Sequence, residues 1–151
     1  MDYSGKVLVR VVAKQGALLP VYATREAAGA DLCAFLPDGP ISIPASGGRA
    51  IVPTGLVLEI PSGFEGQVRP RSGLAFRYGI TVLNSPGTID SDYRGEVSII
   101  LINHGSEPFT IEHGNRIAQL VIAPVTACEF IPSSYTSNTE RGSRGFGSTG
   151  V

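Results

Sequence analysis

Nineteen glycines and eleven prolines, spread through 151 residues, cut the chain into segments too short for long helices. Between the cuts Val and Ile recur with two-residue alternation, the period of a strand that turns one face to a core and the other to solvent. Together these features point to an all-β fold. The candidate strands are Lys6–Ala13, Asp31–Phe35, Arg49–Val52, Leu56–Ile60, Glu65–Arg69, Glu96–Asn103, Phe109–His113, Arg116–Ala123 and Thr126–Ile131. Their spacing is that of a sandwich, jelly roll or barrel. Pro86, Pro108, Pro124 and Pro132 stand at segment ends, where a missing N–H does little harm to a ladder. Ser72–Arg77 is the one stretch expected to make a helical turn, with Ser72 able to cap it. The unbroken run Ile99-Ile100-Leu101-Ile102 suggests a strand covered on both faces, the second cover coming from another subunit in so small a protein.

The length fits one domain, and a 42% apolar fraction is enough for one sizeable core. Twelve basic against thirteen acidic residues give a formal charge of -1, so no global field draws nucleic acid or an anionic membrane, and any anion must meet a local site. The start, Met-Asp-Tyr-Ser-Gly, carries no signal-peptide pattern, and no apolar run approaches the roughly 18 residues that span a bilayer. A soluble, cytoplasmic protein is the expectation. Cys33 and Cys128 lack His or Cys neighbours at metal-ligand spacing and read as free, buried thiols. His104 and His113 read as surface residues, with no Ser or Cys arrangement that would make a triad.

After Pro132 the composition turns to Ser, Thr and Gly, which cannot bury enough apolar surface to order itself. The division expected is therefore a β domain over 1–134 and a flexible arm over 135–151. The arm carries Arg141, Ser148 and Thr149 as donors, Phe146 as a flat apolar face, and Gly142, Gly145, Gly147 and Gly150 to let backbone N–H groups approach an anion. Phosphates and a planar base suit that set; a merely solubilising tail explains the composition equally well. No Gly-x4-Gly-Lys-Ser/Thr segment follows a strand, which excludes a P-loop.

Three further clusters bear on chemistry. Arg69-Pro70-Arg71-Ser72-Gly73 joins a strand end to a helix start, a compact arrangement for an anion or an ordinary solvated turn. Asn84-Ser85-Pro86-Gly87-Thr88-Ile89-Asp90-Ser91-Asp92-Tyr93-Arg94-Gly95-Glu96 places a carboxylate beside a phenol on a Gly-bounded hairpin. That pairing suits a general base on water with a ring packed on a sugar, or an acidic turn with a packing tyrosine. Asp31 in Ala28-Gly29-Ala30-Asp31-Leu32 and Gln119 in Arg116-Ile117-Ala118-Gln119-Leu120 are polar groups in apolar strands, each internally bonded or facing a ligand.

Taken in order, these four segments and the tail Arg141-Gly142-Ser143-Arg144-Gly145-Phe146-Gly147-Ser148-Thr149-Gly150 resemble the five motifs of the trimeric dUTPase family across residues 28 to 150. The resemblance implies a distorted jelly-roll subunit, a homotrimer with active sites at subunit interfaces, and Mg2+-assisted hydrolysis of dUTP to dUMP and pyrophosphate. Such an activity limits uracil incorporation into DNA and supplies dUMP for dTMP synthesis. By the same resemblance Asp90 activates the attacking water, and Tyr93 lies beneath the deoxyribose. Asn84, with backbone groups along Gly87, Thr88, Ile89 and Ser98, reads the uracil edge. Arg71, Ser72, Gly73 and Gln119 contact phosphates, and Asp31 holds the metal through water. Arg141, Phe146, Gly147, Ser148 and Thr149 close the site from the arm. Arg144 stands where family members often carry a small residue. The rival readings are a dCTP deaminase-like enzyme, disfavoured because Val97-Ser98-Ile99-Ile100-Leu101 offers no carboxylate, and a non-catalytic nucleotide-binding module.

Overall fold

A computed structural model describes residues 5–145. Eleven strands and one short helix follow in the order β1 (Arg10–Ala13), β2 (Val21–Tyr22), β3 (Ala30–Cys33), β4 (Ile41–Ile43), β5 (Gly48–Glu59), β6 (Phe64–Arg69), α1 (Ser72–Tyr78), β7 (Ile80–Val82), β8 (Gly87–Ile89), β9 (Glu96–Asn103), β10 (Phe109–Ile111) and β11 (Arg116–Pro124). All pairings are antiparallel. They build a four-stranded sheet β1-β5-β9-β7, a five-stranded sheet β2-β3-β11-β6-β8 and a two-stranded ribbon β10-β4, a distorted jelly roll. One core cluster joins the two large sheets: Val52, Leu56, Leu58, Val97, Ile99 and Leu101 from the first, and Leu32, Val68, Ile117 and Leu120 from the second.

The seam of this architecture is the pairing of β5 with β9. The sequence suggests two strands here, Arg49–Val52 and Leu56–Ile60, with Pro53-Thr54-Gly55 between them. The chain instead continues through a break in register between Pro53 and Val57. Buried Thr54 repairs the ladder there: its hydroxyl donates to the Val97 carbonyl at 2.6 Å and accepts the Leu56 N–H at 3.3 Å. Strands β2, β4, β7 and β8, of two or three residues each, are too short for alternation to reveal. Thr126–Ile131, expected as a strand, pairs with no strand among the described residues; Val125 N–H still reaches the Gly63 carbonyl, but Phe130 and Ile131 lie exposed. On β9 the expectation of cover on both faces is met in part. Ile99, Leu101 and Ile102 are buried, Ile100 is half-buried and Ser98 is exposed.

Helix α1 begins at Ser72 as expected and runs one residue past the expected end at Arg77, but its N-cap is Arg71 and no side chain caps it; Ser72 is already inside the first turn. Its far end is closed by Gly79, whose φ of 68° is left-handed and whose N–H meets the carbonyls of Leu74 and Ala75. A side chain at Gly79 would also strike the Gly105 backbone. Beside this junction, fully buried Asn103 donates to the carbonyls of Ile43 (3.2 Å) and Glu107 (2.8 Å) and accepts the Gly105 N–H (2.8 Å). One amide thus ties β9 to β4 and to the loop under α1. Truncating it leaves buried backbone groups unpaired, so Asn103→Ala should lower the unfolding free energy by about 3 kcal/mol. Urea denaturation followed by far-ultraviolet circular dichroism measures this; a loss under about 1 kcal/mol would mean that water replaces all three bonds.

Candidate active site

Strand β11 lies between β3 and β6, and its register sets Gln119 opposite both Asp31 and Arg69. The loop leaving β6 then delivers Arg71 to the same place. Arg71 Nε lies 3.1 Å from Asp31 Oδ1, Arg116 Nη1 lies 3.3 Å from Asp31 Oδ2, and Arg71 Nη1 donates to the Arg116 carbonyl at 3.0 Å. Two guanidinium groups share one half-buried carboxylate, leaving the cluster with a net positive charge. Gln119 Nε2 donates to the Pro70 carbonyl at 2.9 Å, so both polar groups singled out in apolar strands are internally bonded. The position a Gly29 Cβ would take is 2.2 Å from Gln119 Oε1; this glycine leaves room for the amide. Ser72 and Gly73 open α1 at the surface, and apart from its chain neighbours and the helix backbone nothing lies within 4 Å of where a Gly73 Cβ would be.

Strands β8 and β9 belong to different sheets, so the segment between them bridges the two. Gly87 and Ile89 are buried against β6, Thr88 is exposed, and Asn84 places its amide beside Gly87. The Ser85–Pro86 bond is cis. In the turn after β8, Tyr93 N–H donates to the Asp90 carbonyl at 3.1 Å, a bond that sets the main chain between an exposed carboxylate and a partly exposed phenol ring. Arg94 Nη1 closes the turn by donating to the carbonyls of Ser91 (2.7 Å) and Tyr93 (2.9 Å). The phenol itself donates to the Glu96 carbonyl at 3.2 Å.

Glu96 anchors the base of this turn. Its Oε1 accepts the Gly55 N–H at 2.9 Å and its Oε2 meets Lys14 Nζ at 2.5 Å. The Lys14 hydrogen bond, reinforced by the Gly55 N–H, holds the Glu96 carboxyl below its ordinary value of 4.5 against the opposing effect of burial. Cys33, on the same face of β3 as Asp31, is half-buried, and burial together with the Asp31 charge pushes its thiol up; Cys128 is exposed, contrary to expectation. His104 and His113 are exposed as expected, His113 Nδ1 accepting the Leu36 N–H at 3.0 Å.

Among the described residues no side-chain hydrogen bond or ion pair links the Asp31 cluster to the Asp90 turn. Arg141 meets neither. It lies exposed in a local turn where Arg141 Nε donates to the Arg144 carbonyl at 2.9 Å and Arg144 Nε returns a bond to the Arg141 carbonyl at 3.0 Å. Arg144 also donates to the Glu140 carbonyl. Phe146, Gly147, Ser148 and Thr149 lie outside the described residues.

A family model described as dUTPase matches residues 15–150. The chain belongs to the dUTPase family. Its relatives include deoxyuridine 5'-triphosphate nucleotidohydrolases of Rhizobium rhizogenes, 59% identical over 95% of this chain and 92% of the relative, and of Treponema pallidum, 54% identical over 96% and 99%. Among solved structures, a Staphylococcus bacteriophage 80alpha dUTPase with dUPNHPP superposes with a TM-score of 0.83 at 25% identity, covering 95% of this chain and 99% of that one. A mutant dUTPase from phage phi11 of S. aureus, described with a structural Mg(II) ion, shares the fold at 19% identity and a TM-score of 0.74, covering 87% of this chain and 99% of that one. As a dUTPase the chain is a dUTP diphosphatase, a hydrolase of nucleotide metabolism.

Because the Glu96 carboxyl is held below its ordinary value in the folded dUTPase, its contribution to stability is complete above about pH 4.5 and is lost as pH falls through the lower folded value. Glu96→Gln should therefore be less stable than the parent near neutrality, with the gap narrowing as acid is added below that point. Thermal unfolding of both proteins from pH 7 to pH 3 measures it; a gap independent of pH would assign the effect to packing.

Proposed function

We propose that this dUTPase cleaves dUTP by attack of an Asp90-activated water on the α-phosphorus. Asp90 takes a proton from the water as its oxygen bonds to phosphorus, and the bond to the bridging oxygen of the β-phosphate breaks, releasing pyrophosphate and dUMP. The observation that carries this reading is the turn whose main chain is closed by the Tyr93 N–H on the Asp90 carbonyl, with both side chains exposed on it. A carboxylate and a flat ring held on one rigid corner can serve the reacting water and the sugar of one substrate together.

Roles for the remaining residues follow from their places. Tyr93 packs beneath the deoxyribose and leaves no space for a 2′-hydroxyl. Asn84, with backbone groups of Gly87, Thr88, Ile89 and Ser98, reads the uracil edge, and an amine in place of the uracil oxygen would leave those partners unpaired. Arg71, Ser72, Gly73 and Gln119 receive phosphates, supported by the net positive charge around Asp31 and by an α1 start that no side chain caps.

The residues suit a hydrated Mg2+ and do not suit a directly bound ion. Among the described residues no group of three or more His, Cys, Asp or Glu can hold a metal. Asp31 spends one acceptor direction of each oxygen on an arginine and keeps one on each for a metal-bound water. Such an ion, carried mainly by the triphosphate, would neutralise phosphate charge.

Residues 1–134 form the catalytic domain and 135–151 the arm that supplies Arg141, Phe146, Gly147, Ser148 and Thr149. We infer a homotrimer with sites between subunits, because within one chain no side-chain bond among the described residues joins the Asp31 cluster, the Asp90 turn and Arg141, and because Ile51 and Leu83 expose apolar surface on the β5-β9-β7 side. No helix among the described residues is long and apolar enough to cross a membrane, and we place the enzyme in the cytoplasm with its nucleotide substrate.

Incubation of the purified protein with Mg2+ and dUTP, UTP, dTTP or dCTP in turn should yield pyrophosphate and dUMP rapidly from dUTP alone. Ammonia from dCTP would overturn the reading in favour of a deaminase. Asp90→Asn should bind a non-hydrolysable dUTP analogue as the parent does while kcat falls at least about a hundredfold. An unchanged kcat would remove Asp90 from the reaction.

A further inference from the structure

Gly95 is not a glycine for backbone reasons. Its φ lies outside the left-handed region, unlike those of Gly79 and Gly55. What it lacks is space. A Cβ on Gly95 would sit 2.2 Å from the Tyr93 phenol oxygen, 2.4 Å from Cζ and 2.8 Å from Cε2. Ordinary contact between such atoms is about 3.5 Å, so any side chain here would drive the ring outward by more than about 1 Å. The Tyr93 ring therefore lies directly on the Gly95 backbone. Its hydroxyl is pinned to the Glu96 carbonyl and its main chain is held by Arg94, while nearly half its surface faces outward.

We propose that Gly95 is a specificity-determining positioning residue: its bare backbone is the shelf that sets the height of the Tyr93 ring, and through that height the enzyme distinguishes deoxyribose from ribose. The inference rests on the reading of Tyr93 as the surface beneath the sugar. A ring seated on a backbone cannot sink further to admit a 2′-hydroxyl. A ring propped up by a methyl group must tilt or swing toward solvent, and the fixed floor is lost. Tilting is inexpensive because the atoms met are the far end of a partly exposed side chain, not backbone.

The shelf predicts an effect on selection without an effect on folding. Gly95→Ala should keep the parent melting temperature and most of its kcat on dUTP. Its ratio of kcat/KM for dUTP over UTP should fall at least about tenfold. Tyr93→Ala should lose discrimination likewise. The double variant should be no worse than Tyr93→Ala, since the glycine acts only through the ring. If Gly95→Ala retains the parent ratio while Tyr93→Ala loses it, the shelf is wrong and the sugar reading stands. If Tyr93→Ala retains the ratio, the sugar reading falls and the shelf with it. Should Gly95→Ala unfold, removing the ring in the double variant must restore folding; a double variant that stays unfolded would assign Gly95 to the backbone and overturn the proposal.

Discussion

The antiparallel seam between β5 and β9 is the constraint on which the rest of the molecule depends. It carries β1 on one flank and β7 on the other, and it supplies the central side chains of the core. Its one irregularity, between Pro53 and Val57, is also where the outer structure attaches. Thr54 mends the ladder there, and Gly55 presents the N–H that Glu96 accepts. Because Glu96 begins β9 and follows the Asp90–Tyr93 turn directly, a backbone defect in a packed seam becomes a rigid mount for an exposed corner. Irregularities of this kind recur beside functional sites because they redirect a chain without loosening the core.

The fold class was legible in the sequence because alternation and punctuation are local signals. Glu96–Asn103 appears with the bounds that its apolar run suggests, and Ser72 begins the expected short helix. What local signals miss is pairing. Pro53 and Gly55 read as a break, and only the buried Thr54 hydroxyl bonding a distant carbonyl turns them into a continuous strand. Thr126–Ile131 has the composition of a strand yet finds no partner edge among the described residues. At the site, the residues with distinctive chemistry stood out, while those that hold them did not. Arg116 was visible only as part of a motif; its bond to Asp31 depends on β11 lying beside β3. Gly29 and Gly95 resemble turn glycines in a sequence with nineteen, and their role in making room for Gln119 and Tyr93 exists only in three dimensions.

Charge and space are thus managed separately. Around Asp31, two cations are held near each other by the one anion between them, so the arrangement is fixed before any phosphate arrives. Around Tyr93, position is set by an absence of atoms at Gly95 and by hydrogen bonds that the Tyr93 hydroxyl and the Arg94 guanidinium donate to main-chain carbonyls. On the proposed residue roles, the nucleotide's anionic end would meet electrostatic rigidity and its sugar steric rigidity.

The exposed stretch that follows β11 has a geometric consequence. From Pro124 to Arg141 the chain crosses roughly 17 residues without helix or strand, enough to span on the order of 55 Å when extended. A compact body of this size is only about 40 Å across. Covalent attachment therefore acts as a leash and not as an address: it keeps Arg141 at high effective concentration over every surface within its radius.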